Sequence, residues 1–169
     1  MIRLAKDGDI ESMVTIERAA DAIFHDIGMS AVADGDHMPA DDLRNYQRAG
    51  RAWVDTDDLG HVLAYLLLDV FDGVPHIEQV SVHPSCAGQG KGRMLIEAAA
   101  NWAKQEGFSS LTLTTFTEVP WNAPYYARFG FEVIPVSQLS SGLKQIREHE
   151  AAMGLDAWPR SAMRRTLIG

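Results

Sequence analysis

The chain has 169 residues, of which 46% are hydrophobic and 22% charged, and this composition is that of an ordinary globular protein. It contains 15 Lys and Arg residues against 23 Asp and Glu residues, so its formal net charge is −8 at pH 7. Nucleic acids and anionic membranes bind basic surfaces, so we expect neither as a partner. The one cysteine, Cys86, excludes a disulfide within the chain, and we expect a protein of the reducing cytoplasm.

Nothing in the sequence divides the chain or directs it to a membrane. The first residues turn polar at Lys6 and Asp7 before any long apolar run forms, so we expect no secretory signal. The longest apolar run, residues 62–68, is far shorter than the ~20 residues that a membrane helix needs. No linker is visible, and we expect residues 1–169 to form a single domain.

The first part of the chain predicts a short strand and two helices. The strand is expected over residues 2–5, and Asp7 then has the features of an N-cap for a helix with apolar residues at helical spacing. Residues 30–39 indicate a loop, and residues 40–49 a second helix bounded by Pro and Gly.

A meander of strands follows. Strands are predicted over residues 51–55, 61–70 and 74–82. Asp72-Gly73 indicates a hairpin turn between the last two, because Gly readily adopts a positive φ.

The second half predicts alternating helices and strands. Leu95, Ala98, Ala99 and Trp102 share one face of a helix that Gly107 ends. Further strands are predicted over residues 111–115, 131–135 and 162–167, and further helices over residues 124–129 and 138–153. The order β-α-α-β-β-β-α-β-α-β-α-β predicts an α/β fold of the mixed α+β kind, with helices on both faces of a mixed sheet.

The segment richest in chemical information is a loop with three alternating glycines, Gly88, Gly90 and Gly92, between a predicted strand and a predicted helix. The first N–H groups of a helix have no partner inside it, and the helix dipole is positive there. Glycines without a Cβ let a phosphate approach the backbone closely, and Lys91 and Arg93 add positive charge. The loop therefore predicts a site for a pyrophosphate.

Two common phosphate-binding loops do not fit this segment. A P-loop needs a Gly where Ser85 stands, and a Ser or Thr where Gly92 stands. A dinucleotide-binding loop has a different glycine spacing and follows a parallel βαβ unit, whereas an antiparallel hairpin precedes this loop.

The glycine spacing resembles the signature of the GNAT superfamily of acyl-CoA-dependent N-acetyltransferases. Ala87-Gly88-Gln89-Gly90-Lys91-Gly92 follows that signature, except that Ala87 stands where the family has Gln or Arg. Further along, Tyr125-Tyr126-Ala127-Arg128-Phe129-Gly130-Phe131 is similar to a second family motif, in which Phe-Tyr precedes Gly-Phe by three residues. The elements also occur in the family's order over nearly the whole chain. The resemblance implies a mostly antiparallel sheet that splays between its fourth and fifth strands.

The resemblance implies acetyl-CoA or coenzyme A as co-substrate, with its pantetheine arm between the two splayed strands. Val80, Ser81 and Val82 would then hydrogen-bond the pantetheine arm and the acetyl carbonyl. The pyrophosphate would be held by Gly88, Gln89, Gly90, Lys91, Gly92 and Arg93. Asn122 would either contact the cofactor or merely cap the short helix that follows it.

The resemblance also implies direct transfer of the acetyl group to a primary amine. Glu78 is the first candidate for the general base, because several family members carry a glutamate four residues before the position of Val82. His76 lies on the same face of the strand and is the second candidate. Tyr126 matches a family tyrosine and would donate a proton to the departing thiolate.

The acceptor is not identified by the sequence and could be a small-molecule or a peptide amine. Dimers are frequent in the family, so a homodimer is a further expectation. The histidines show no metal-ligand spacing, and no metal is expected. A second reading of the same features is a non-catalytic CoA-binding sensor or partner-binding module on the same fold.

Overall fold

A computed structural model describes residues 1–34 and 37–167, and the chain divides into two compact units. The first unit comprises Met1–Leu68 and Gln79–Ala99, and the second comprises Asp69–Glu78 and Ala100–Gly169. The expectation that residues 1–169 act as a single domain stays a prediction.

The strands form one sheet whose topology confirms the predicted fold class. They are β1 (Ile2–Leu4), β2 (Ala52–Thr56), β3 (Val62–Phe71), β4 (Val74–Val82), β5 (Ser110–Phe116), β6 (Glu132–Val133) and β7 (Arg160–Thr166). Among the described residues, their order in the sheet is β1-β2-β3-β4-β5-β7-β6. The β4–β5 pair is parallel, whereas the β1–β2, β2–β3, β5–β7 and β6–β7 pairs are antiparallel.

Helices flank this sheet, as predicted. They are α1 (Ile10–Asp21), α2 (Ser30–Ala33), α3 (Ala40–Arg48), α4 (Lys91–Gln105), α5 (Ala123–Ala127) and α6 (Ser141–Ala152). Within residues 1–34 and 37–167, none of the helices combines the length and the apolar character needed to span a bilayer.

The core of the first unit lies between its helices and β1–β3. It is formed by Ala5, Ile10, Met13, Ile16, Leu43, Ala52, Val54, Tyr65 and Leu67. The members on α1 recur every three residues and so share one face of that helix. The members on β2 and on β3 alternate along their strands, which places each set on one face of the sheet.

The second unit has a smaller core around α6. Leu143 of α6 packs with Ile134 and Ala162, and Phe71 closes the cluster from one side. The helix begins where the hydroxyl of Ser140 accepts a hydrogen bond from the Leu143 amide at 3.3 Å, which satisfies one of the free N–H groups of its first turn.

The hairpin turn predicted at Asp72-Gly73 is present. Asp72 has φ +54° and Gly73 has φ +70°. Positive φ at both central residues is typical of the two-residue turn whose twist matches that of the flanking strands. The turn therefore fixes which residues of β3 and β4 lie opposite each other next to it.

Three local predictions are wrong. Asp7 is not an N-cap: Asp7–Asp9 form a 3₁₀ turn, and Asp9 instead accepts the Lys6 amide at 2.8 Å. The loop predicted over residues 30–39 contains α2, while its positions 35 and 36 lie outside the described residues. The late helix begins at Ser141 rather than at residue 138, because the Ser140 cap fixes its start.

Candidate active site

The glycine-rich loop that precedes α4 is exposed, and its backbone takes two left-handed conformations. Gly88 has φ +78° and Gly90 has φ +75°, and apart from the adjoining residues no heavy atom lies within 4 Å of where a Cβ would stand at either position. The Met94 amide donates to the Gly90 carbonyl at 3.0 Å, so the amides of residues 91–93 precede the hydrogen-bonded ladder of the helix. An anionic group can therefore approach these amides without meeting a side chain of either glycine.

Lys91, at the start of α4, lies with its ammonium beside a buried carboxylate. Lys91 Nζ is 3.5 Å from Oδ2 of Asp55 on β2, and the Asp55 side chain is only 3% exposed. Lys91, which the sequence predicts to bind a pyrophosphate, is thus paired with the Asp55 carboxylate inside the first unit. No local signal connects the two residues, because Asp55 lies on a different element, far from Lys91 in the sequence.

The end of β4 carries the residues expected to bind the pantetheine arm. Ser81 is buried, and its hydroxyl accepts a hydrogen bond from Gln79 Nε2 at 3.0 Å, whereas Val80 and Val82 are half-buried. The side chain of Ser81 thus has a partner within its own strand, so its expected contact with a ligand involves its backbone.

The ladder between β4 and β5 is short. It consists of His76 opposite Thr112 and Ile77 opposite Leu113, although β4 continues to Val82. This early end of the ladder agrees with the predicted splay of the two strands.

His76 and Glu78, the two candidate bases, belong to the second unit. His76 is 1% exposed, and its Nδ1 lies 2.8 Å from the Thr112 hydroxyl. Burial lowers the pKa of His76 to about 4, so its imidazole is neutral and weakly basic at pH 7. The Glu78 side chain is open to solvent, yet the protein surrounds its carboxyl group closely enough to raise the pKa of Glu78 to about 8.

Four effects raise the pKa of Glu78, and one of them is a hydrogen bond with the Asp69 side chain. Loss of water around the carboxyl contributes most, the nearby Asp69 carboxylate contributes next, and Glu150 adds a weaker repulsion. Asp69 and Glu150 were missed in the sequence. Asp69 could have been found from the Asp72-Gly73 turn, because a two-residue turn places residue 69 opposite residue 76.

Glu150 of α6 is anchored by three groups of the second unit. Its Oε2 accepts from the Thr114 hydroxyl and from Arg160 Nη2, both at 2.8 Å, and its Oε1 accepts from Arg147 Nη1 at 2.9 Å. The Arg160 guanidinium also lies 4.4 Å from the ring centroid of Phe116. The Glu150 carboxylate is therefore held in place by these hydrogen bonds, and the two arginines balance its charge.

Asn122 holds the end of β5 with its side chain. Its Oδ1 accepts from the Thr115 hydroxyl at 2.8 Å and from the Phe116 amide at 3.4 Å. Its side chain makes no capping bond to α5, whereas its carbonyl accepts the Tyr126 amide at 2.9 Å. The side-chain cap that the sequence suggested as one alternative is therefore not formed.

Tyr126 lies on α5 with a half-buried side chain. Its ring packs edge-on against Tyr125 at 5.6 Å and against Phe131 at 6.1 Å between centroids. Burial, with a smaller contribution from Tyr125, raises the pKa of Tyr126 to about 12. The hydroxyl therefore keeps its proton throughout the neutral range, as a proton donor must.

Across residues 1–34 and 37–167, no group of three or more His, Cys, Asp or Glu side chains is arranged to hold a metal ion.

Several solved structures share this fold at low sequence identity. N-acetylglutamate synthase from Neisseria gonorrhoeae, complexed with coenzyme A and N-acetyl-glutamate, is 19% identical with a TM-score of 0.74. All of this chain is covered in that comparison, but it spans only 35% of the synthase. Rv2747 from Mycobacterium tuberculosis, in complex with coenzyme A, is 17% identical with a TM-score of 0.72 and 99% of both chains covered.

A third structure is the paia N-acetyltransferase from Thermoplasma acidophilum in complex with coenzyme A, at 13% identity, a TM-score of 0.72 and 98% of both chains covered. At such identities these structures establish the fold alone. The sequence itself is more specific, because residues 19–131 match the model of the acetyltransferase (GNAT) family. That match includes the glycine loop, β4 and the Tyr126 helix, and the chain therefore belongs to the GNAT family of acetyltransferases.

Proposed function

We propose that this protein is an N-acetyltransferase that moves an acetyl group from acetyl-CoA directly to a primary amine. The observation that carries the proposal is the exposed loop of Gly88 and Gly90, whose positive φ values open the start of α4 to an anionic ligand. Membership in the acetyltransferase family and the coenzyme A bound to three structural neighbours support the same reading.

The cofactor is proposed to be held mainly by backbone groups. Its pyrophosphate binds the loop and helix start formed by Gly88, Gln89, Gly90, Lys91, Gly92 and Arg93. Its pantetheine arm binds the backbone of Val80, Ser81 and Val82 on β4. Asn122 keeps its side chain on β5, which supports a structural role more than a direct contact with the cofactor.

Acetyl-CoA supplies the acetyl group as an activated thioester. Glu78 takes a proton from the acceptor ammonium, and the amine nitrogen that is freed forms the new bond to the acetyl carbon. The C–S bond breaks, and Tyr126 donates its hydroxyl proton to the departing thiolate. Glu78 is preferred over His76 as the base, because its raised pKa makes it the stronger proton acceptor.

We propose no covalent acetyl-enzyme, since Cys86 is the one cysteine of the chain and is buried. The acceptor is proposed to be a small-molecule or peptide amine. Residues 1–169 are proposed to act as one domain, and a homodimer remains compatible with that function.

The proposal is tested in two steps with the purified protein. Isothermal titration calorimetry with acetyl-CoA should detect binding, and a panel of primary amines should then release free coenzyme A thiol in the presence of acetyl-CoA. Binding without turnover of any amine would favour the sensor alternative. Absence of heat with both acetyl-CoA and coenzyme A would refute both readings.

A further inference from the structure

Asp69, which the proposed function leaves without a role, lies at a defined position beside the candidate base. The two-residue turn at Asp72-Gly73 places Phe71 opposite Val74, and so Asp69 opposite His76 on the same face of the hairpin. Glu78 is then the diagonal neighbour of Asp69, a separation of about 7–8 Å between backbones that long side chains can close.

Contacts within the second unit agree with this register. The rings of Phe71 and His76 lie 5.1 Å apart, as expected for side chains on one face of adjacent strands. The side chains of Asp69 and Glu78 lie within reach of a hydrogen bond, which together with the charge of Asp69 contributes to the raised pKa of Glu78. Two carboxyl groups can form such a bond only when one proton lies between them, so closeness of the two groups favours retention of a proton on Glu78.

The other charges that face this pair do not neutralise it. His76 on β4 is neutral at pH 7, since burial lowers its pKa to about 4. Glu150 on α6 forms ion pairs with Arg147 and Arg160, so both arginines already have a carboxylate partner. A positive charge brought by a ligand is therefore favoured at the pair when both its carboxyls are ionised.

We propose that Asp69 is a positioning residue for acetyl transfer: with Glu78 it forms a carboxylate pair that receives one proton of the acceptor ammonium and shares it between the two groups. This inference rests on the proposed function. The form that accepts the proton is the one in which both carboxylates are ionised, which becomes populated as pH rises towards the pKa of Glu78, and in it the ammonium carries the proton. Afterwards the N–H bond is broken, the amine nitrogen has its lone pair, and the proton lies in the hydrogen bond between Asp69 and Glu78.

The repulsion between the two carboxylates is relieved by that proton, which makes Glu78 a stronger base than a lone carboxylate would be. Asp69→Asn removes the repulsion while keeping the size of the side chain, and its amide can donate to the Glu78 carboxylate. We therefore expect Glu78 to titrate at lower pH in this variant. Asp69→Glu retains the charge and should restore most of the effect.

The first measurement needs no substrate. In protein labelled with ¹³C at the glutamate carboxyl, the signal of Glu78 is assigned by its loss in Glu78→Gln and followed against pH. We expect its midpoint to lie above the ordinary value of 4.5, and to fall by roughly one unit or more in Asp69→Asn. Asp72→Asn is the matched control, because it removes a charge from the same hairpin and should leave the midpoint unchanged. If the midpoint of Glu78 is the same in Asp69→Asn as in wild type, the proposed carboxylate pair is refuted.

The second measurement is the pH dependence of kcat/KM with an amine that the panel identifies. The acidic limb should move to lower pH in Asp69→Asn by the shift found in the titration, and should stay near the wild-type position in Asp69→Glu and Asp72→Asn. A purely structural role of Asp69 would lower activity without moving the limb, and this outcome overturns the inference. Turnover of no amine, with the titration shift intact, would refute the proposed function rather than the pair.

Discussion

At the scale of single residues, loss of water around the ionisable group shifts the pKa of His76 and the pKa of Glu78 in opposite directions. The two side chains are two positions apart on β4, and loss of water is the largest cause of the pKa change at each. Burial disfavours whichever form is charged, so the pKa of His76 falls and that of Glu78 rises. The sequence could name both residues as candidates. It could not rank them by burial, because their surroundings come from Asp69 on β3 and Glu150 on α6.

Replacement of Glu78 by Gln should stabilise the protein increasingly as pH rises. The folded-state pKa of Glu78 is raised, so the folded protein holds this proton more tightly than the unfolded chain does. The resulting stability is complete below the ordinary value of 4.5 and is lost as pH rises through the folded-state pKa. Gln does not ionise, and thermal unfolding at about pH 5 and about pH 9 should show a larger gain over wild type at the higher pH.

The matched control is Glu132→Gln, at an exposed glutamate of β6. It should change the unfolding temperature little at either pH. A gain in Glu78→Gln that is the same at both pH values would contradict the raised pKa.

Replacement of Tyr126 by Phe should remove the proposed proton donor while keeping the ring that packs on Tyr125 and Phe131. We expect kcat for acetyl transfer to fall roughly 10²-fold, at the lower end of what a positioned acid contributes. Calorimetry should find the affinity for coenzyme A nearly unchanged. Tyr125→Phe is the neighbouring control and should retain kcat, since its side chain points ~100° away around the helix. Equal activity of Tyr126→Phe and wild type would rule out the acid role.

At the scale of elements, prediction succeeded where a turn and a proline mark the two ends of a strand. The strand predicted over residues 74–82 has those bounds in the structure, because the Asp72-Gly73 turn begins it and Pro84, which lacks an N–H donor, follows its end. The short helix α2 was missed, because four residues carry too little periodicity to be recognised. The contact of Lys91 with Asp55 was missed for a different reason, since only the tertiary fold brings α4 to β2.

The start of α6 depends on a glycine whose necessity the structure explains. A Cβ at Gly142 would lie 2.5 Å from Cδ2 of Phe71 and 2.6 Å from Oδ2 of Asp72, which also accepts the Gly142 amide at 2.7 Å. We expect Gly142→Ala to lower the free energy of unfolding by about 1–3 kcal/mol, the usual cost of forcing a methyl group into a packed site. Chemical denaturation measures this change.

Gly8→Ala provides the comparison for this substitution. Beyond the adjoining backbone no atom lies within 4 Å of a Cβ at Gly8, so the same chemical change should cost little there. Similar losses in the two variants would show that the contact with the β3–β4 hairpin does not constrain Gly142.

At the scale of the whole molecule, the family could be recognised from two short motifs, but the acceptor could not. The glycine loop and the Tyr126 motif both lie within residues 19–131, which match the family model. Their proposed roles concern the thioester and its phosphates, which an acetyltransferase meets whatever amine it uses. Neither motif concerns the acceptor amine, so neither can identify it.

The overall charge of −8 leads to a prediction about how coenzyme A binds. The ligand is a polyanion, and the ammonium of Lys91 is already beside Asp55, so we attribute much of the attraction to backbone amides and the dipole of α4. Salt screens this short-range attraction, but it also screens the repulsion between the ligand and the acidic chain. The affinity should therefore change less than about threefold between ~0.05 M and ~0.5 M NaCl, as measured by calorimetry.

Dephospho-coenzyme A, with fewer charges, should show an equally weak dependence. A loss of more than about tenfold at high salt would mean that side-chain cations, rather than the helix start, hold the phosphates.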